Sequence, residues 1–278
     1  MNTLQILGLA IVQGLAELLP VSSSAHVILA EKLMGLDPTT PDMTLLLVML
    51  HTGTMFAVIV YFWRSWRTTY FESVGAFWSN GLLVAAATAV TGVVGLALLK
   101  AIERAFAGGA AGFEIEHLFG STKLIATGLA CAGVLIILSS RSVKSSGDDV
   151  TLRSSLWIGA VQGLCLPFRG FSRSGATIST GLLNCVHRRR AEEFSFALAV
   201  ALTPAVVARE GYRFKAYAAT SPGEGLWHLL DPSVLGMFFS FLAGLVALRW
   251  LSRWLEGGRW SYFGVYCLAL AAVVLAVG

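Results

Sequence analysis

Between Ala160 and Ala176 the chain reads AVQGLCLPFRGFSRSGA. It opens as an apolar helix would, turns at Pro167, and then gathers Arg169, Ser172, Arg173 and Ser174 before apolar sequence resumes. From Ile11 to His26 the chain reads IVQGLAELLPVSSSAH, with the same V-Q-G-L, an apolar turn and another serine-bearing cluster. Gln13 aligns with Gln162, Ser23 with Ser172 and Ser24 with Arg173. Each cluster interrupts an apolar segment, roughly residues 3–35 and 154–187. Irregular backbone at membrane depth survives only where protein or a wet cavity surrounds it, so each segment is expected to form a re-entrant hairpin.

The rest of the chain sets that depth. It has 278 residues, 56% of them hydrophobic and 13% charged, with mean hydropathy +0.72. Soluble domains carry about 25% charged residues, so this is an integral membrane protein. Net charge is +4 and no dense basic tract occurs, which argues against a nucleic-acid partner. Cys131, Cys165, Cys185 and Cys267 form no C-x-x-C pair and read as small buried hydrophobes rather than a zinc site or disulfide framework. The first residues lack the basic region of a signal peptide.

Runs near 44–63, 81–100, 122–139, 193–208, 233–251 and 260–277 suit six spans, the fourth being short. The expected fold is an all-α polytopic membrane protein, with six transmembrane helices plus two re-entrant helical hairpins arranged as an inverted repeat. It forms one integral membrane domain over 1–278, with halves at about 1–140 and 152–278 joined by the polar stretch 139–151. Three spans per half is odd, so the second half must be inverted, and inverted repeats put their site near the midplane. Ten basic residues, Arg64, Arg67 and Arg188 to Arg190 among them, fall on one side against seven on the other, which marks the first side as cytoplasmic. Glu192 and Glu193 pair with those arginines or face water.

A charged arginine in a bilayer costs at least about 2.5–3.5 kcal/mol on insertion scales. A guanidinium matches phosphate oxygens with its planar fork, hydroxyls add donors, and glycine lets backbone N–H groups approach an anion. Gly170, Ser172, Arg173, Ser174 and Thr177 therefore read as a phosphate cradle; the other reading has Arg173 capping carbonyls or pairing with a buried carboxylate. In the first cluster, Gln13 and Glu17 share a helix face, and Ser22, Ser23, Ser24 and His26 follow. Glu17 could hold a divalent cation, act as a base, or pair with Arg173, and a serine beside it is a candidate nucleophile. His51 falls inside a span and could line the cavity. Neither C-x5-R nor G-x-x-x-x-G-K-[ST] occurs.

Together, Q-x-x-x-E before P-V-S-S-S-A-H and the later G-F-S-R-S-G-A-T resemble the bacterial undecaprenyl-diphosphate phosphatases linked to bacitracin resistance. The likeness covers nearly the whole chain, including LHTGTMFAVIVYFWR and AEEFSFALAV. It implies a phosphoric anhydride hydrolase that converts undecaprenyl diphosphate to the monophosphate and inorganic phosphate, recycling the cell-wall carrier in the bacterial cytoplasmic membrane, with a site opening to the outer face. It also implies a divalent cation, Mg²⁺ or Ca²⁺, held by Glu17 and Gln13. The implied catalytic residues are Glu17, Ser23, His26 and Arg173, with Ser22, Ser24, Gly170, Ser172, Ser174 and Thr177 binding substrate. Arg169 stands where the family pattern has proline. Either Ser23 attacks with help from His26, or water attacks after activation by Glu17 or His26. The competing class is a flippase for a polyprenyl phosphate, using the same inverted repeat. Partners are the polyprenyl diphosphate and membrane lipid, with a homodimer as a further possibility; small-residue patterns such as GLAELL and GVVGLALL permit helix contacts.

Overall fold

The computed structural model describes residues 1–37, 40–106, 121–141, 147–168, 170–220 and 226–277. Arg169 lies outside them. Among the described residues the chain is all helical. In order come α1 (Thr3–Leu18), α2 (Ser23–Leu33), α3 (Pro41–Tyr70), α4 (Val74–Phe106), α5 (Thr122–Arg141), α6 (Leu152–Cys165), α7 (Arg173–Leu183), α8 (Arg188–Thr220), α9 (Leu226–Glu256) and α10 (Trp260–Val277). The order repeats itself: two short packed helices, then three long ones, twice over.

Among the described residues, four segments are long and apolar enough to cross a bilayer: Leu45–Tyr70, Val74–Ala105, Thr122–Arg141 and Pro232–Glu256. In α4 only 17% of the most apolar window is buried inside the protein. Leu82, Val93 and Leu96 stand exposed there, a surface that water does not favour and lipid does. Of the other two expected spans, α10 is a shorter apolar helix. α8 is long but carries charge at its start and Pro204 within it, and is not among the four.

Capping fixes where the short helices begin. Asn2 accepts from the Gln5 N–H at 2.8 Å while the Gln5 side chain accepts from the Asn2 N–H at 2.9 Å, a reciprocal box that starts α1. Thr151 and Ser154 do the same for α6. Ahead of α6, Gly147 lies so close to His187 that a Cβ there would sit 2.5 Å from its backbone nitrogen. The Asp148 N–H donates to the Cys185 carbonyl and the Asp148 carbonyl accepts from the His187 N–H, each at 2.9 Å, which anchors the end of the polar linker.

The chain divides into two compact units. One holds Met1–Leu19, Ser23–Trp63 and Ala199–Leu251; the other holds Pro20–Ser22, Arg64–Leu198 and Ser252–Gly278. Each unit draws on both ends of the sequence, so compactness and the repeat of element order divide the chain differently. In the first unit, α9 is the seam. A Cβ on Gly14 of α1 would sit 2.6 Å from that of Ala243, and one on Gly53 of α3 would sit 2.2 Å from the Met237 carbonyl oxygen. Ser240 of α9 donates to the Leu50 carbonyl at 2.9 Å. In the second unit α4 packs on α6, with Gly159 against Ala87 and Gly95 against Leu166. The small-residue patterns make helix contacts within the chain at Gly14 and Gly95, while Gly92 meets open space. Two cysteines, Cys131 and Cys185, are exposed rather than buried.

Candidate functional site

α1 ends at Leu18 because Leu19 turns extended and Pro20 follows. The chain reverses through Ser22, whose φ of 68° is left-handed, a conformation that costs a non-glycine residue about 1–2 kcal/mol. α2 then starts at Ser23. This reversal brings the Ser23 hydroxyl back over the last turn of α1, where it donates to Glu17 Oε2 at 2.6 Å. The Gln13 amide reaches the same oxygen at 3.2 Å, from one turn earlier on the same face. Gln13 is buried and Glu17 has a side chain 16% exposed, so this carboxylate is sheltered but reachable.

A fourth group arrives from α3. His51 Nε2 lies 3.5 Å from Glu17 Oε2. Its Nδ1 is 2.8 Å from the Leu47 carbonyl. A carbonyl can only accept, so Nδ1 carries the hydrogen and Nε2 is the nitrogen turned toward the carboxylate. The α9 seam sets this approach, since Gly53 and Leu50 flank His51 and both meet α9. The sequence pointed to His51 as a cavity residue and not as a neighbour of Glu17. Its signal, a histidine amid threonines and a glycine in an apolar span, was present; its partner was not legible. His26 sits half-buried in the first turn of α2.

The second hairpin is built in the other unit. α6 ends near Pro167, and the chain turns through Gly170 at φ 94°. Glycine is required there twice over, for the angle and because a Cβ would fall 2.2 Å from the Ile125 carbonyl oxygen. Ser172 then caps α7, accepting from the Gly175 N–H at 3.3 Å. Its hydroxyl is 3.4 Å from that of Ser174. Thr177 donates to the Arg173 carbonyl at 2.8 Å. With that hydrogen used, the 2.6 Å contact between Thr177 and Ser195 is one in which Ser195 donates. Thr177 and Ser195 are fully buried, so together they brace the first turn of α7. Ser195 lies in the F-S-F run of α8 and was not foreseen as part of this region.

Arg173 is half-buried in that first turn, which holds no acidic residue. A helix N-terminus already carries about half a positive charge, and a cation there concentrates charge of one sign. The turn therefore favours an anion. Pro20–Ser22, the reversal of the first hairpin, belongs to this same unit. Its Pro20 Cβ is 3.2 Å from where a Gly175 Cβ would be, and the Pro20 carbonyl accepts from the Cys267 thiol at 3.2 Å. Ser22 is buried.

Around the start of α8 lies a different polar group. Arg189 donates to Glu193 at 2.9 Å, and Arg190 donates to Glu193 at 3.0 Å and to Asp149 at 2.7 Å. Ser65 also donates to Glu193. Ser252 donates to Glu192 at 2.5 Å. Both carboxylates are buried and neither lies in one of the four spans; the expectation that they could face water does not hold. Burial pushes the Glu192 carboxyl up to about 8, against the lowering effect of the Ser252 hydrogen bond.

Residues 6–273 match the family model described as bacitracin resistance protein BacA. Undecaprenyl-diphosphatase 2 of Acinetobacter baylyi is 61% identical over 280 residues, covering 100% of this chain and 98% of the relative. Undecaprenyl-diphosphatase of Thermus thermophilus is 34% identical over 270 residues, 95% of this chain and 93% of its own. That of Desulfosudis oleivorans is 32% identical, over 100% and 99%. With matching polar clusters inside two helical hairpins and a family match over nearly its full length, the chain belongs to the bacitracin resistance protein BacA family.

Proposed function

We propose that this protein hydrolyses undecaprenyl diphosphate to undecaprenyl phosphate and inorganic phosphate. The observation that carries the reading is the 2.6 Å hydrogen bond from Ser23 to Glu17, an oxygen nucleophile already resting on a base. Arg173 and the start of α7 hold the diphosphate, and Ser172 and Ser174 add hydroxyl donors. The Ser23 oxygen attacks the terminal phosphorus, its proton passing to Glu17. The anhydride P–O bond breaks, and undecaprenyl phosphate leaves with the bond's electron pair. Water then hydrolyses the phosphoserine. In a second route water attacks the phosphorus directly and no phosphoserine forms. Both leave Arg173 to stabilise charge on the transferring phosphoryl group. His26, in the first turn of α2, assists proton transfer in either.

The Gln13 amide nitrogen and the Ser23 hydroxyl lie within 3.2 Å of Glu17 Oε2; with the amide turned to present its oxygen, carboxylate, amide and hydroxyl oxygens make a hard donor set that suits Mg²⁺ or Ca²⁺. Glu17 and Gln13 would hold the ion, which when bound would offset phosphate charge. The six-span, doubly re-entrant inverted repeat remains our reading of the repeated element order, with the prenyl tail in lipid and the site open to the outer face of the cytoplasmic membrane.

A flippase reading draws on the same repeat. Phosphate release from undecaprenyl diphosphate by purified protein in detergent tests the choice. Release that is lost in Glu17→Ala and Arg173→Ala supports hydrolysis; none from the unaltered protein would leave transport. Trapped phosphoserine at Ser23, or its absence during turnover, separates the two routes.

A further inference from the structure

Gln162 has no assigned task, and its surroundings give it one. It sits on α6, is 1% exposed, and neither its amide nitrogen nor its amide oxygen has a hydrogen-bond partner among the described residues. Buried polar groups are nearly always paired, so an orphaned amide needs an explanation. The sequence counterpart, Gln13, donates to Glu17 one turn on. One turn beyond Gln162 stands Leu166, which offers no acceptor side chain.

Register shows where the amide lies. α6 and α7 pack as a helical pair, and Ile158 Cδ1 is 3.6 Å from where a Gly181 Cβ would be. Ile158 therefore faces α7 at Gly181. Gln162 lies one turn nearer the tip on the same face, and one turn nearer the tip on α7 is Thr177. Gln162 is thus level with Thr177, one turn along α7 from Arg173.

We propose that Gln162 is a substrate-binding residue whose amide N–H donates to a phosphate oxygen of the diphosphate held at the start of α7. The proposal rests on the phosphate cradle put forward above. It explains why an amide is kept where an apolar side chain of similar length would pack without loss.

The test uses the full-length protein in detergent, with phosphate release and thermal unfolding measured together. Gln162→Met should lower kcat/KM about tenfold or more, as expected for one lost hydrogen bond to a charged group. Its Tm should stay unchanged or rise, because an unpaired polar group has gone. Inorganic pyrophosphate should raise the Tm of the unaltered protein and raise that of Gln162→Met less. Gln162→Glu should do worse than Gln162→Met, since it sets a like charge against the phosphate. A kcat/KM within about twofold of the original in Gln162→Met overturns the proposal. So does a lower Tm with unchanged kinetics, the mark of a purely structural amide. If both fall, an undiminished pyrophosphate shift overturns it as well. Arg173→Ala keeps the two readings apart: full activity there removes the cradle itself, whereas an inactive Arg173→Ala beside a normal Gln162→Met removes only Gln162.

Discussion

α7 and α8 follow one another in the chain and both begin with polar, arginine-bearing turns, yet the two turns differ in the balance of charge. At the start of α8, Glu193 receives Arg189, Arg190 and Ser65, Asp149 receives Arg190, and Glu192 receives Ser252. That network answers its own charges and ties four chain segments together. At the start of α7 the hydroxyls of Ser172, Ser174 and Thr177 bind one another, Ser195 and backbone, and the turn contains a cation and no acid. On paper α8 is the richer in charge, with five charged residues from Arg188 to Glu193. Chemistry is read from the poorer one, because a cation at a helix N-terminus, in a turn that holds no acid, favours an anion.

Four substitutions can break or sharpen that contrast. Arg173→Lys keeps the charge and loses the fork, so kcat/KM for phosphate release should fall by about a thousandfold with little change in Tm. Near-normal turnover would erase the distinction between the two turns. Glu193→Ala strips the acceptor from two arginines and should destabilise the fold by about 3 kcal/mol, read by thermal or denaturant unfolding. Protein that does fold should turn over normally; a kinetic defect would mean the α8 network is part of the site.

Glu192→Gln probes the same network by pH. With its carboxyl pushed up to about 8, Glu192 keeps its proton in the folded state between the ordinary value of 4.5 and 8, while the unfolded chain has lost it. Stability on its account is full below 4.5 and is lost as pH climbs through 8. An amide cannot ionise, so the substitution should raise Tm at pH 8 and leave it unchanged near pH 4. A shift of equal size at both pH values would mean that burial of the carboxylate is not the cause. Thr177→Val is the mildest, removing the brace between Ser195 and the Arg173 carbonyl. It should cost about 1 kcal/mol of stability and a few-fold in turnover, and an effect as large as that of Arg173→Lys would make Thr177 a direct ligand.

The sequence was most legible where one segment carries its own reason. The polar breaks at Pro20–Ser24 and Pro167–Ser174 announce hairpins, and the four-residue step from Gln13 to Glu17 announces a shared face. It was least legible where a partner lies far along the chain. Nothing local says that His51 will reach Glu17, that Ser195 will reach Thr177, or that Ser252 will lie on Glu192. The same holds for α8, whose charged first turn reads as an edge because its partners, Asp149, Ser65 and Ser252, come from elsewhere.

The meeting of His51 and Glu17 depends on an atom that is not there. Gly53 lies two residues from His51, and the side of α3 where its methyl would be is pressed against the Met237 carbonyl. One added carbon would push the helices apart and carry the imidazole away from the carboxylate without touching any reacting group. The reach of this histidine is thus set by spacing between helices, so its chemistry could be retuned by changing the size of a residue that never meets the lipid.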